Sequence, residues 1–157
     1  MMGKRYLWGL GIILALITGA AVGWWFSYPT TSELVLSAES CDLNQVACTT
    51  SESDGLAIQL TLTPKPVPTL KPIMVSAELS GFTTPPTKIQ FVLEGRNMYM
   101  GFQKAWLERQ GSSFHYTGTV LIPTCEQSAM EWKVTLLMPP NQPIHRAEFY
   151  MQTQHTR

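Results

Sequence analysis

The stretch Leu56-Ala57-Ile58-Gln59-Leu60-Thr61-Leu62-Thr63 alternates large apolar side chains with small or polar ones. A period of two sends successive side chains to opposite faces of an extended strand. Ile58, Leu60 and Leu62 then face a core, and Gln59, Thr61 and Thr63 face water. Six further runs of the same kind follow, over residues 73–80, 88–94, 103–109, 114–121, 131–138 and 144–151. Taken together they are rich in Val, Thr, Ile and aromatic residues, which favour strands. The segments between them hold strand breakers: Pro64, Pro66 and Pro68, Gly81, Pro85-Pro86, Gly95, Gly111, Pro123, and Pro139-Pro140.

Seven short strands at even spacing in about 100 residues predict an all-β domain, an immunoglobulin-like antiparallel β-sandwich over residues 56–157. Glu33-Leu34-Val35-Leu36 is a candidate eighth strand. One face of each run supplies the expected core: Ile58, Leu60, Leu62, Val75, Phe91, Leu93, Trp106, Tyr116, Val120, Trp132, Val134 and Leu136. Residues 37–55 read as a loop, and 29–55 as a linker that carries Cys41 and Cys48.

The N-terminus has a different character. After Lys4 and Arg5 no charged residue appears until Glu33. Residues 10–23 are apolar or small throughout, and about 20 such residues span the ~30 Å hydrocarbon core of a bilayer. Tyr6 and Trp8 stand at one end and Trp24, Trp25, Phe26 and Tyr28 at the other, the spacing of two interfacial aromatic belts. Residues 6–28 are therefore predicted to form one transmembrane helix. Lys4 and Arg5 keep the five-residue tip in the cytoplasm and the rest of the chain on the other side. A cleaved signal peptide is the competing reading of the same segment, since Gly19-Ala20-Ala21 suits a cleavage site. Both readings export residues 33–157.

Charge narrows the partners. The 157-residue chain has 11 basic and 11 acidic side chains. Residues 33–157 hold all eleven acids and nine of the basic residues, a net charge of about −2. A nucleic-acid surface is not expected from such a balance.

Catalytic motifs are missing: the sequence has no H-E-x-x-H, G-x-S-x-G, Walker loop or G-x-G-x-x-G. His115 and His145 fall in predicted strands and read as half-exposed strand residues. Glu126 and Glu131 read as solvated charges rather than an acid–base pair. No enzyme is expected.

Sulfur supplies the remaining chemistry. Cys41 and Cys48 enclose six residues, among them the turn formers Asp42 and Asn44. Outside the cytoplasm they can form a disulfide. A bridge from either of them to Cys125 is the rival pairing, and three cysteines do not decide between them. Asn97-Met98-Tyr99-Met100-Gly101 places two thioethers at i and i+2, on one side of an extended chain. Cys125 and Met130 add a thiol and a third thioether. Soft sulfur donors select Cu(I), and the absence of grouped His and carboxylates argues against zinc, calcium or magnesium. The competing role of these methionines is core filling, for which the flexible thioether is well suited.

The order of a Lys/Arg-led anchor, an exported β-domain, Met98-Tyr99-Met100-Gly101, Gly118, Leu121-Ile122-Pro123-x-Cys125 and Met130-x-Trp132 resembles a family of small membrane-anchored bacterial proteins. The genes of that family accompany respiratory oxidase and copper-delivery components. At fold level the chain is similar to the FixH and YtkA-like exported sandwiches. The resemblance implies a single-pass protein of the inner membrane with its C-terminal domain in the periplasm. It also implies a role in cytochrome oxidase assembly or copper handling, with Cu(I) on Met98, Met100, Cys125 and Met130. The sequence lacks the C-x3-C of Sco-type carriers and the His-rich N-terminus of CopC-type carriers, so any copper site here is built from sulfur. The alternative is a metal-free accessory protein that helps hold a membrane complex together.

Overall fold

The computed structural model describes residues 34–124 and 128–154, together with Thr18 and Gly19. The chain divides into two compact units, residues 1–32 and 33–157. The second is all-β and holds nine strands: β1 (Val35–Asp42), β2 (Cys48–Ser51), β3 (Ala57–Thr63), β4 (Pro72–Ser80), β5 (Lys88–Gly95), β6 (Phe102–Arg109), β7 (His115–Leu121), β8 (Ala129–Leu137) and β9 (Arg146–Gln154). They form one sheet in the order β1-β9-β8-β5-β6-β7-β4-β3-β2. Among the described residues no helix is long and apolar enough to cross a membrane. The expected span 6–28 lies outside the described residues apart from Thr18 and Gly19.

All seven expected strands form, and two more join them. The 37–55 stretch, expected to be a loop, contributes most of β1 and all of β2. Its signal was weak because β2 has only four residues and because alternation in β1 holds only from Val35 to Ala38. There the register against β9 slips, with Ala38 opposite Phe149 and Asp42 opposite Tyr150. Extra residues on one strand bend it; Cys41 in this bulge bonds to Cys48 of β2, while Asp42 still pairs with β9. The β1–β9 pair is parallel, so the sheet is not purely antiparallel as expected.

A sheet with one apolar face must cover that face. Here it does so by bending back on itself. The β6–β7 ladder has only two residue pairs, Glu108 with Thr117 and Arg109 with Tyr116. Gly118 sits at this bend. A Cβ there would lie 2.7 Å from the Trp106 carbonyl oxygen and 2.7 Å from Leu107 Cδ2, so only glycine allows the two strands to cross so closely. At the far ends of the order, β1 and β2 meet through a disulfide between Cys41 and Cys48.

The enclosed core draws on every strand. Eleven of the twelve expected core residues are buried; Trp106 is 49% exposed. The phase of β6 was the error. Ala105 and Leu107 stand opposite Phe91 and Ile89 and share their inward face, which turns Trp106 outward to pair with Gln90. In the sequence, Trp106 and Leu107 are adjacent apolar residues, and periodicity alone cannot say which points in. The two large buried polar side chains are satisfied. Trp132 Nε1 donates to Thr153 Oγ1 at 2.9 Å, and Tyr116 Oη donates to the Pro86 carbonyl at 2.8 Å.

Two substitutions test this closure. Cys41→Ala with Cys48→Ala is expected to cost about 2–3 kcal/mol for a loop of this size, read as a lower midpoint in urea under non-reducing conditions. Gly118→Ala is expected to cost about 1–3 kcal/mol through overpacking. A Gly118→Ala protein as stable as wild type contradicts the close crossing at the bend.

Candidate functional site

Strand direction sorts the connections into two ends. One end carries the turn 43–47, the loop 64–71, the loop 96–101 and the connection from β7 to β8. The other carries the start of β1 and the connections 52–56, 81–87, 110–114 and 138–145. Of the sulfur residues singled out from the sequence, Cys41, Cys48, Met98, Met100 and Met130 belong to the first end.

The disulfide turn is densely hydrogen-bonded. Cys41 and Cys48 are joined, with Cα atoms 5.8 Å apart, so neither is a partner for Cys125. Asp42 organises the turn as its residue type suggests. Its carbonyl accepts from Gln45 N and Val46 N at 3.0 and 3.1 Å. Its carboxylate accepts from Asn44 N at 2.9 Å and from Gln152 N at 3.2 Å. Lys65, from the proline loop, donates to the carbonyls of Leu43 and Val46. Burial of this ammonium lowers its pKa, and the Asp42 charge opposes the shift. Val67 N donates to Asn44 Oδ1 at 2.6 Å. A groove of ≈ 600 Å³ beside the turn is lined by Asn44, Gln45, Pro66, Lys71 and Gln152 among others, with no sulfur atom.

The methionine loop is held against the start of β8. Arg96 N donates to the Glu131 carbonyl at 2.8 Å. Asn97 Nδ2 donates to the Ala129 carbonyl at 3.0 Å, and Asn97 Oδ1 accepts from Glu131 N at 3.1 Å. Asn97 thus completes the hydrogen bonding of β8 as a neighbouring strand would. Gly95 permits the fold-over: a Cβ there would lie 2.2 Å from the Met98 carbonyl oxygen and 3.1 Å from Met130 Cε. Met98 and Met130 are therefore brought to one corner. Met130 is 4% exposed, whereas Met98 and Met100 are half-buried and pack on the core. Tyr99 between them points to water, 79% exposed. The connection that carries Cys125 leaves β7 at this same end, and Cys125 itself lies outside the described residues. The chemistry of the set fits a soft monovalent ion: three thioethers bind Cu(I) and have little affinity for hard cations. Among the described residues no group of three or more His, Cys, Asp or Glu side chains could hold a metal.

A second constellation was not legible in the sequence. His115 Nε2 lies 3.4 Å from Ser76 Oγ, and His115 Nδ1 lies 3.4 Å from a Glu78 carboxylate oxygen. The residues meet because Glu78 pairs with His115 across β4 and β7. The order Ser–His–acid is that of a nucleophile with its base. Yet the group lies on an open strand face, with the His and Glu side chains 37% and 61% exposed. It is a surface hydrogen-bonded chain.

The outer face of β5, β8 and β9 carries ion pairs. Lys133 Nζ lies 2.6 Å from Glu94 Oε1 and 3.9 Å from Glu148 Oε1. The Glu94 hydrogen bond is the main cause that raises the Lys133 pKa above its ordinary 10.5. Burial raises that of Tyr116 above its ordinary 10.0. No protein-family model, curated protein or solved structure matches this chain.

Both raised groups hold their protons in the fold at a pH where the unfolded chain has released them. The sign follows: their contribution to folding stability is constant below about pH 10, where that of the Lys133–Glu94 pair is present in full, and stability falls as pH rises above it. Glu94→Gln is expected to reduce that alkaline loss, measured as the urea midpoint between pH 9 and pH 11. An identical pH profile for the variant contradicts the pairing.

Proposed function

We propose that the chain is a membrane-anchored extracytoplasmic protein whose β-domain, an immunoglobulin-like sandwich, binds Cu(I) through Met98, Met100 and Met130. Cys125 joins them as a thiolate. Copper-delivery or oxidase-assembly proteins are the partners this reading calls for. It rests on one observation: the loop that holds Met98 and Met100 is stitched by Asn97 to the strand that begins beside Met130. The disulfide supports an oxidising compartment, in line with the anchor read from residues 6–28.

A metal-free interaction module is the second reading, favoured by the burial of Met130 and the packing of Met98 and Met100 on the core. In that case thioethers are fillers and Leu replaces them at a cost below about 1.5 kcal/mol each.

Titration of the detergent-solubilised chain with Cu(I), against a competing chelator, separates the two. Met98→Leu with Met100→Leu is expected to keep the fold and weaken Cu(I) binding more than tenfold, a loss above about 1.4 kcal/mol. Equal affinity in wild type and variant, or no binding to either, leaves only the metal-free module.

A further inference from the structure

The outer face of the sheet carries one row that runs straight across five strands. Val35 on β1 stands opposite Arg146 on β9, Arg146 opposite Leu137 on β8, Leu137 opposite Gln90 on β5, and Gln90 opposite Trp106 on β6. Cross-strand partners share a face. The row is apolar at both ends, with Val35 41% and Trp106 49% exposed. Near Trp106 it opens into a cleft of ≈ 300 Å³, completed by Lys88, Met138 and Pro139. The Lys88 ammonium sits 4.0 Å from the centre of the Trp106 ring.

We propose that this row is a lipid-contact face that rests on the headgroup region of the bilayer. The contact depends on the anchor proposed above. Only residues 29–34 separate the expected end of the span, Tyr28, from Val35. At ~3.3–3.6 Å per residue such a connector reaches roughly 20–25 Å when fully extended. The first residue of the row is therefore tethered close to the membrane. Five strands at ~4.8 Å spacing put Trp106 roughly 19 Å along the sheet from Val35, a distance comparable with the tether itself.

The side chains suit this occupant. Tryptophan partitions to the membrane–water interface, where its ring is shielded and its N–H stays wet. Lys88 covers apolar surface with its stem and keeps its charge at the ring, within reach of a lipid phosphate. The net charge of about −2 on residues 33–157 gives no general attraction to anionic lipid, so the occupant is a zwitterionic surface engaged by aromatic and aliphatic groups. With this row at the bilayer, the start of β1 lies near the membrane, and the methionine loop is carried at the opposite end of the strands, toward soluble partners.

The test uses the full chain in phosphatidylcholine vesicles with Trp8→Phe, Trp24→Phe and Trp25→Phe, which leaves Trp106 and the buried Trp132. Lipid brominated on its acyl chains quenches tryptophan at the interface. Quenching is expected in this background and its loss on adding Trp106→Phe. Equal quenching with and without Trp106 overturns the proposal, including the case in which a protein partner covers this face instead. Resistance to an alkaline carbonate wash reports the anchor separately. A chain that washes off refutes the anchor and the contact with it. A retained chain with unquenched Trp106 refutes the contact alone.

Discussion

Closure of one sheet upon itself governs the β-domain. Cys41 and Cys48 belong to strands at opposite ends of the nine-strand order, and their bond fixes the two margins together. At the middle of the order Gly118 lets β6 and β7 cross at close range. Between these two points a single face can be covered without any helix, and Trp132, Tyr116, Phe91 and Phe149 fill the space it encloses. Burial of that apolar area is the main driving term, and the bond acts chiefly by limiting the freedom of the unfolded chain.

The same closure assigns roles to the two ends. Because the strands of residues 48–154 run up and down in turn, every second connection returns to the same end. The disulfide turn, the proline loop and the methionine loop share one end for that reason. Lys65 and Asn97 then tie neighbouring connections together, Lys65 by its bonds to Leu43 and Val46 and Asn97 by its two bonds to β8. A loop held in this way can present half-buried thioethers in a fixed arrangement, which a soft metal site requires. The opposite end carries the start of β1.

Much of this was legible from residue order. Alternation at 56–63 and its six relatives decided the fold class, since a period of two is a local property of the strand. The turn at Asp42 was legible too, because its side chain accepts from Asn44 N only two residues away. The charge balance likewise needs no tertiary information.

Tertiary structure decided what depends on distant partners. Which of Trp106 and Leu107 faces inward was set by Phe91 and Ile89 on β5, so the sequence reading of β6 was one residue out of phase. β1 and β2 are strands because β9 and β3 pair with them, although β1 loses its alternation after Ala38. The choice of Cys41–Cys48 over a bridge to Cys125 came from the meeting of sheet margins 5.8 Å apart at the Cα atoms. The nearness of Met98 to Met130, 32 residues later, came from Asn97 bonding across to β8 and from a glycine at 95 small enough to permit it. Residue types determined which chemistry the chain can offer; only the register between strands determined which of those groups stand together.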